Sequence, residues 1–408
     1  MVIKLNKYDV LYKYFGYESF RNNQEDIIDS LLNGNDTIAI LATGGGKSIC
    51  FQIPALLSDE LTIVITPLIS LMQNQVEELK ERKIAAEYIT SEMDFNKIND
   101  VIKQVINNKV KLLYISPERL ENDAFRAIFF KIKIAYIIID EAHCISVWGN
   151  DFRPSYRSIK NLLQSLEYRP VVGAFTATAN KKVIDDIDKI IGLNDVSIYK
   201  SGFDRPNLFY GVYKPKNKMN FLLKQLLSYK DEIFIIYTVT RKEAEEVYYK
   251  LKSLKFNVGL YHGGLDSEIK EECQKKFMNE EYKIIVATNA FGMGINKPNI
   301  RNVINYSIPL SLEELSQQSG RCSRDGAEGR CILLFDEDDI RVCEYFIKHS
   351  KSYEKALQKE LIKDKYRQLK SVINYATTNK CLHHVMLDYF GEMSKNKCFM
   401  CSNCLKRK

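Results

Sequence analysis

Short apolar runs recur along this chain in two sets, and amphipathic stretches separate one run from the next. Strand-sized runs that alternate with helical stretches predict a mostly parallel sheet with crossover helices. The chain is therefore expected to contain two sheets of this kind. The first set comprises TIAIL (37–41), LTIVIT (61–66), KLLYIS (111–116), IAYIIID (134–140) and VVGAFTA (171–177), and the second comprises EIFIIYT (232–238), NVGLYH (257–262), KIIVAT (283–288), NVINYS (302–307) and CILLFD (331–336).

The length of the chain, 408 residues, exceeds one ordinary hydrophobic core, so two or three domains are expected. SGFDRPN (201–207) is predicted to connect the two sheets, because glycine and proline punctuate it. From about residue 345 the pattern becomes helical and basic. The predicted fold is α/β, with parallel-sheet lobes at 1–204 and 205–345 followed by a small helical domain at 346–408.

The apolar runs are far shorter than the roughly 20 residues that a membrane-spanning helix needs. The first residues, MVIKLNKYDV, contain no apolar stretch of signal-peptide length. An intracellular protein of the cytoplasm or nucleus, with no membrane partner, is expected.

Positive charge is concentrated in the last 63 residues, which contain 14 basic and five acidic side chains. The net charge of the whole chain is +7, so the remainder is close to neutral. This excess predicts either a solvated helix face or a contact with a polyanion.

A glycine-rich turn, TGGGKS (43–48), comes directly after TIAIL. Thr43, Gly44, Gly45 and Gly46 would let the backbone wrap a phosphate with its N–H groups pointing inward. Lys47 would reach the β- and γ-phosphates of a nucleotide, and Ser48 would ligate Mg²⁺. The general pattern has a glycine where this chain has Leu41, and an ordinary glycine turn before a helix is the alternative.

An acidic pair, Asp140 and Glu141, ends the apolar run IAYIII. An aspartate after a buried strand, downstream of a phosphate-binding loop, is the usual second anchor for Mg²⁺. The glutamate beside it could orient or deprotonate the attacking water. His143 either links this site to the second half of the chain or is a structural histidine.

The segment that follows the acidic pair contains the only tryptophan of the chain, Trp148, together with Phe152 and Arg153. Aromatic rings interleaved with arginine are typical of surfaces on which single-stranded nucleic acid stacks. The segment therefore joins a candidate hydrolysis site to a candidate nucleic-acid contact.

Two further groups could complete a nucleotide site. Arg321 and Arg324 in QSGRCSR (318–324) are predicted on one helix face, where they would act either as fingers on the γ-phosphate or as a surface pair. Tyr17, Arg21 and Gln24 are also predicted on one helix face, where they would contact adenine or pack internally.

Four cysteines crowd the end of the chain: sixteen residues separate Cys381 from the run Cys398-x2-Cys401-x2-Cys404. Four thiolates suffice for a tetrahedral Zn²⁺ site. Four buried free cysteines and an iron–sulfur cluster are the alternatives. His383 and His384 are interpreted as packing or phosphate contacts, and the other six cysteines as reduced and buried.

These motifs together resemble those of RecQ-type DNA helicases of superfamily 2, and the resemblance covers essentially the whole chain. The joined run of the acidic pair, the tryptophan and DFRP, together with the terminal cysteines, is very specific, whereas a DEAH box alone would also allow RNA helicases. The segments that carry it include FGYESFRNNQ (15–24), TGGGKS (43–48), TPLISLMQNQ (66–75), DEAHCISVWGNDFRPSY (140–156), FTATA (175–179), ATNAFGMGINKPN (287–299) and QQSGRCSRDG (317–326).

The resemblance implies 3′ to 5′ unwinding of DNA, driven by ATP and Mg²⁺ between two RecA-like lobes. Single-stranded and tailed duplex DNA would be the partners, with a monomer favoured. The implied roles are adenine contact for Tyr17, Arg21 and Gln24; phosphate and Mg²⁺ contact for Lys47 and Ser48; Mg²⁺ and water for Asp140 and Glu141; DNA sensing for Trp148, Phe152 and Arg153; γ-phosphate contact for Arg321 and Arg324; and zinc for Cys381, Cys398, Cys401 and Cys404.

The chain departs from the family pattern at two motifs. Asn150 stands where a histidine is usual, so the coupling of DNA binding to ATP hydrolysis is expected to differ in strength. The arginine motif, usually GRAGR, is GRCSR (320–324) here, with both arginines kept. Alternative functions are a DNA-stimulated ATPase that translocates or anneals strands with weak unwinding, and a non-catalytic DNA-binding scaffold. An RNA helicase stays open on chemistry alone.

Overall fold

The computed structural model describes residues 5–21, 23–42, 44–90, 92–149, 152–292, 295, 297–352, 355–392 and 396–406, without the side chain of residue 131. The chain divides into two compact units, residues 1–202 and 203–408. Each unit is built around one parallel sheet, as the alternating apolar runs predict.

The first unit contains a seven-stranded sheet in the order β3-β4-β2-β5-β6-β1-β7, with every neighbouring pair parallel. The inner strands are apolar on both faces because helices cover both sides. The strands are β1 (Thr37–Leu41), β2 (Leu61–Ile65), β3 (Ala86–Ile89), β4 (Leu112–Ile115), β5 (Ile134–Ile139), β6 (Val171–Thr176) and β7 (Ser197–Ser201).

Helices connect these strands. Because all the strands are parallel, the phosphate-binding loop and the acidic pair lie at the same edge of the sheet. TGGGKS follows the carboxyl end of β1 and the acidic pair follows that of β5, the edge at which open α/β sheets bind ligands. The helices are α1 (Lys7–Val10), α2 (Gln24–Leu32), α3 (Lys47–Leu57), α4 (Ile69–Glu81), α5 (Phe95–Ile106), α6 (Asp123–Ala127), α7 (Ser158–Ser165) and α8 (Lys181–Ile191); Leu11–Phe15 is a π-helical turn, and Pro117–Glu121, Ile128–Lys131, Ala142–Ile145 and Pro154–Arg157 are 3₁₀ turns.

The second unit contains a six-stranded parallel sheet in the order β10-β11-β9-β12-β13-β8. Its strands are β8 (Leu208–Tyr213), β9 (Ile233–Tyr237), β10 (Val258–Tyr261), β11 (Ile284–Ala287), β12 (Ile300–Asn305) and β13 (Gly329–Leu334). Its helices are α9 (Lys218–Ser228), α10 (Arg241–Ser253), α11 (Ser267–Met278), α12 (Leu312–Ser319), α13 (Glu337–His349), α14 (Gln358–Thr377), α15 (Leu382–Phe390) and α16 (Ser402–Leu405), with a 3₁₀ turn at Lys355–Leu357.

The C-terminal helical segment packs onto β8, the edge strand of this second sheet. Tyr210 N donates to Met400 O at 3.2 Å, and Val212 N donates to Ser402 Oγ at 3.2 Å. Apolar residues of α14, among them Val372 and Tyr375, belong to the same buried core as the residues of β8. The helical segment therefore shares a hydrophobic core with the sheet that precedes it.

The predicted α/β class, with two parallel-sheet lobes followed by a helical cysteine-bearing segment, is confirmed. All ten predicted runs are strands, and three strands were not predicted, namely β3, β7 and β8. None of the helices in the described part of the chain is both long and apolar enough to cross a membrane.

Candidate nucleotide-binding site and cysteine centre

The glycine-rich turn forms a bare backbone cradle at the start of α3. Gly44 and Gly46 have φ of +87° and +75°, in the left-handed region that favours glycine. Gly45 N donates to Ala42 O at 2.8 Å, and a β-carbon at Gly46 would collide with the amide of Gln24. Backbone N–H groups at a helix N-terminus attract anions, so the cradle suits a phosphate. Thr43 lies outside the described residues.

The acidic pair lies within reach of the lysine of this cradle. Lys47 Nζ is 3.4 Å from Glu141 Oε1 and 4.0 Å from Asp140 Oδ1. Asp140 N donates to Ile65 O at 2.8 Å, which anchors the pair between the ends of β2 and β5. The predicted grouping of Lys47, Asp140 and Glu141 is therefore present within the first unit.

Burial and charge move the two carboxyl groups in opposite directions. Burial raises the pKa of Asp140 to about 6, although Lys47 opposes the shift. Burial also acts on Glu141, but Lys47 and His143 outweigh it and hold the pKa of Glu141 well below its usual range. One carboxylate of the pair is thus firmly ionised, and a bound divalent cation would favour ionisation of the other.

His143 connects the acidic pair to the end of β6. Its Nδ1 lies 2.9 Å from Thr176 Oγ1 and 3.3 Å from Glu141 Oε2. Thr176 Oγ1 in turn donates to Thr178 O at 3.1 Å. Among the described residues, Glu141 Oε2 accepts no hydrogen bond of normal geometry. The FTATA segment (175–179) predicts no role for its residues, so the contact of Thr176 with His143 was missed from the sequence.

The helical prediction for Tyr17, Arg21 and Gln24 is wrong. Gly16, at φ +72°, ends the preceding helical turn, and α2 begins only at Gln24. The three residues still group together, because the Arg21 guanidinium lies 5.8 Å from the centre of the Tyr17 ring and Arg21 N donates to Gln24 Oε1 at 2.8 Å. Gln24 Nε2 donates to the carbonyl oxygens of Gly45 and Gly46, each at 3.2 Å, so the group borders the phosphate cradle.

The aromatic segment after the acidic pair is held by backbone and cation contacts. Lys182 Nζ lies 4.0 Å from the centre of the Trp148 ring, and the Arg157 guanidinium lies 5.5 Å from that of Phe152. Arg153 Nη1 donates to Pro67 O at 3.0 Å. All of Trp148, Phe152 and Arg153 are half-buried. Asn150 lies outside the described residues.

A buried hydroxyl links this segment to the acidic pair. Tyr156 OH donates to Asp140 O at 2.9 Å, and Arg153 N donates to Cys144 O at 2.9 Å. These two bonds join the segment to the backbone on either side of Glu141.

The helical prediction for Arg321 and Arg324 is also wrong, as is the surface alternative for Arg321. Helix α12 ends at Ser319, and both arginines lie in the turn that leads to β13. Arg321 is buried and donates to Gly292 O, and Arg324 Nη1 donates to Ile295 O at 2.7 Å. Burial, followed by the positive charges of Arg321 and Arg205, lowers the pKa of Arg324 to about 10, which leaves it protonated at neutral pH.

The four C-terminal cysteines converge as predicted. The Sγ atoms of Cys381, Cys398, Cys401 and Cys404 all lie within 4.8 Å of one another. Zn–S bonds of about 2.3 Å in a tetrahedron place sulfurs about 3.8 Å apart, so the cluster fits this ion. Cys401 Sγ accepts N–H groups from Leu382 (3.5 Å) and Cys404 (3.4 Å), contacts that stabilise a thiolate.

His383 is a packing residue. It is buried, its Nε2 lies 3.0 Å from Leu208 O, and its ring meets that of Tyr210 edge-on at 4.7 Å. Burial lowers its pKa, which favours the neutral imidazole. Packing is thus the correct interpretation for His383, and a phosphate contact is wrong; His384 is half-buried.

Four basic residues of α14 form an exposed row, the basic stripe: Lys359, Lys363, Arg367 and Lys370. Their spacing places them on one side of the helix. Arg367 is paired with Asp364 at 3.0 Å. Lys365 points elsewhere and is half-buried, and burial lowers its pKa.

Three families match successive parts of the chain. Residues 21–187 match the DEAD/DEAH box helicase family, and residues 217–326 match the helicase conserved C-terminal domain. Residues 337–405 match the RecQ zinc-binding family. The cradle, the arginine turn and the cysteine cluster each fall inside one of these matches.

Two similar proteins of one organism are named as DNA helicases. An "ATP-dependent DNA helicase RecQ" of Bacillus subtilis (strain 168) is 43% identical over 97% of this chain and 66% of the relative. A "Probable ATP-dependent DNA helicase RecS" of the same organism is 37% identical over 83% of this chain and 68% of the relative. The chain spans 63–66% of the length of the first RecQ relatives it matches.

A solved structure of Saccharomyces cerevisiae Dbp5 bound to RNA and ADP BeF3 has a similar fold. The TM-score is 0.66 at 19% identity, over 90% of this chain and 97% of that one. Identity at this level supports the fold alone.

Proposed function

This chain belongs to the RecQ family of helicases, and on that basis we propose that it is an ATP-dependent DNA helicase that moves 3′ to 5′ on single-stranded DNA. The observation that carries the proposal is the approach of Lys47 to Asp140 and Glu141 beside a glycine cradle. A decayed, non-catalytic scaffold would be expected to lose one of these groups first.

The residues of the first unit would divide the chemistry as follows. Mg²⁺, held by Ser48, Asp140 and phosphate oxygens, would supply charge neutralisation. Lys47 would contact the β- and γ-phosphates, and the carboxylate of Glu141 would orient the attacking water and accept its proton. Tyr17, Arg21 and Gln24 border the cradle and would contact adenine.

Arg321 and Arg324 would stabilise the negative charge that develops on the γ-phosphate as its bond breaks. A permanently charged guanidinium is suited to this role. Both side chains are bonded within the second unit, so contact with a nucleotide would exchange or extend those bonds.

The proposed partners are single-stranded and 3′-tailed duplex DNA inside the cell, with a monomer as the acting form. The basic stripe supports a phosphate contact, because four cations on one side of a helix attract a polyanion. The alternative is a DNA-stimulated ATPase that translocates or anneals strands without efficient unwinding.

A strand-displacement assay tests the proposed function directly. We expect ATP-dependent separation of a short 3′-tailed DNA duplex, and little separation of 5′-tailed, blunt or RNA duplexes. ATP hydrolysis without strand separation would favour the translocase alternative. Preferential opening of the RNA duplex would overturn the DNA assignment.

Removing the Trp148 ring or the Arg153 guanidinium should weaken stimulation of hydrolysis by single-stranded DNA. We expect Trp148→Ala and Arg153→Ala to lower the DNA-stimulated rate about tenfold, because stacking contributes about 1–3 kcal/mol per base. The DNA-free rate should change less than twofold. Steady-state hydrolysis with and without an oligonucleotide measures both.

Tyr168→Ala is the matched control, since Tyr168 is an exposed aromatic of the same unit outside this segment. Trp148 fluorescence in the unaltered protein offers a second readout. An emission that stays constant on adding oligonucleotide, with stimulation intact in both variants, would contradict a sensing role.

Charge reversal at Lys359, Lys363 and Lys370 should weaken DNA binding for all sequences alike. If each lysine neutralises one phosphate, the plot of the logarithm of the binding constant against the logarithm of the salt concentration should become less steep, by about 2–3. Fluorescence anisotropy at several salt concentrations measures affinity and slope together. The control reverses Lys224 of α9, Lys230 of the loop between α9 and β9, and Lys250 of α10; all three are exposed, and the change in net charge is the same. Equal effects in both triple variants would mean that the basic stripe is only a solvated face.

A further inference from the structure

The first residues of the second unit, 203–208, are bonded on one side to the turn that carries Arg321 and Arg324. Arg205 Nη2 donates to Cys322 O at 2.9 Å and to Ser323 O at 3.0 Å. Asn207 Nδ2 donates to Ser323 O at 3.3 Å and to Ala327 O at 2.8 Å. Two side chains thus satisfy three carbonyl groups of a single turn.

This turn needs external support. Ser323 has φ of +44°, in the left-handed region that costs a residue with a β-carbon about 1–2 kcal/mol. It lies between the two arginines, at the position where the RecQ pattern has glycine. Its carbonyl oxygen is the one that accepts from both Arg205 and Asn207. These donors therefore stabilise the strained residue that lies between the two arginines.

The same segment is fixed on its other side by α15. The Phe390 ring stacks on that of Phe203 at 4.0 Å and 10°, and Glu392 Oε1 accepts Phe203 N at 3.3 Å. Near the start of α15, His383 Nε2 lies 3.0 Å from Leu208 O. Both ends of α15 thus contact the segment.

Helix α15 also reaches the helix that precedes the arginine turn. Tyr389 OH donates to Glu313 Oε1 at 2.7 Å, in the first turn of α12. Cys381, a member of the cysteine cluster, is the N-cap of α15. A chain of direct contacts therefore runs from the cluster through α15 and residues 203–208 to the arginine turn, all within the second unit.

We propose that Arg205 and Asn207 are positioning residues for Arg321 and Arg324, and that α15 holds them in place. The inference rests on the proposed function, in which the two arginines act on the γ-phosphate. Preorganised charges stabilise a transition state only when their geometry is fixed in advance. Loss of the donors would leave nucleotide binding at the Lys47 cradle intact and would slow turnover.

Two variants separate the donors from the rest of the segment. Arg205→Ala removes the Nη2 group that donates to both Cys322 O and Ser323 O. Asn207→Asp keeps the shape of the side chain and the acceptor that faces Arg205 Nε (3.4 Å), but replaces the donor to Ser323 and Ala327 with an oxygen. Arg330→Ala is the matched control, because Arg330 is a hydrogen-bonded arginine of the same unit whose side chain contacts Glu232 and Asn302 instead of the turn.

The expected result is a fall in kcat for ATP of about 10- to 100-fold in Arg205→Ala and Asn207→Asp, with KM and ADP affinity within twofold of the unaltered protein. Arg330→Ala should keep kcat within twofold. Affinity for ADP with aluminium fluoride, a transition-state analogue, should fall together with kcat. Thermal unfolding and zinc content show whether each variant is folded.

A double-mutant cycle makes the test decisive. In an Arg321→Ala, Arg324→Ala background, adding Arg205→Ala should change analogue affinity less than twofold, because positioning residues have nothing left to position. An additive loss, an unchanged kcat in both variants, or unfolding of both variants would overturn the proposal. Absence of DNA-stimulated hydrolysis in the unaltered protein would instead overturn the proposed function.

Discussion

Replacement of Lys47 by alanine is expected to reduce ATP hydrolysis at least about 100-fold while DNA binding stays within about twofold. The Lys47 ammonium lies within 3.4–4.0 Å of both carboxylates and at the rim of the cradle, so its loss removes charge compensation where phosphate oxygens would bind. The basic stripe belongs to the other unit and keeps its charges. Hydrolysis is measured at saturating single-stranded DNA, and binding by anisotropy without nucleotide.

Glu141→Gln is the companion variant, because it replaces one carboxylate oxygen with an amide NH₂ group and keeps the shape of the side chain. Nucleotide binding should persist and turnover should fall to a similar degree, because the amide cannot accept a proton from water. Lys47→Arg keeps the charge with a different geometry and controls for electrostatics alone. Hydrolysis at the unaltered rate in Lys47→Ala would refute the nucleotide site.

Replacement of Cys401 by serine is expected to abolish zinc binding and to unfold the second unit at a much lower temperature. Zinc sites of this kind contribute on the order of 10 kcal/mol to folding of the segment that holds them. Cys401 is fully buried and accepts two backbone N–H groups, so its sulfur anchors the whole cluster. Metal analysis should give one zinc per chain in the unaltered protein, and calorimetry should show the loss of stability.

Cys273→Ser supplies the control, because Cys273 is a buried cysteine of the same unit outside the cluster. It should keep the zinc and lose only the modest stability of a small core substitution. A brown protein that contains iron, or a Cys401→Ser variant that retains one zinc, would contradict the zinc assignment.

The strands that the sequence did not predict share one physical property. β3, β7 and β8 are the edge strands of their sheets. Inner strands are covered on both faces and therefore form continuous apolar runs, whereas edge strands carry polar residues such as Glu87 and Lys200, or a glycine such as Gly211. β10 is also an edge strand and was predicted, so an edge position weakens the apolar pattern without always removing it.

The site residues show a different limit. Lys47, Asp140 and Glu141 could be predicted because each follows a recognisable strand, and strand ends meet at one edge of a sheet. Tyr17, Arg21, Arg321 and Arg324 were assigned to helices on spacing alone. Tyr17 and Arg21 instead follow Gly16 outside any helix, and Arg321 and Arg324 lie in the turn after α12 ends at Ser319. The spacing of these residues in the sequence does not indicate where the helices end.

The contacts that the sequence could not reveal are the ones that join distant segments. Thr176 is 33 residues along the chain from its partner His143. Arg205 is 118 residues from its partner Ser323. FTATA was recognisable as a family segment and SGFDRPN as a connector, but no periodicity indicates which carbonyl or ring a side chain will meet. Such contacts depend on the packed tertiary structure.

The backbone of Glu141 is strained. Its φ of +50° and ψ of +45° place it in the left-handed region, which costs a glutamate about 1–2 kcal/mol and a glycine almost nothing. Glycine at this position would relieve the backbone strain, but it would also remove the carboxylate that lies beside Lys47 and His143. If Glu141 orients the attacking water, as proposed, the turn after β5 holds a strained backbone at the residue whose side chain the reaction needs.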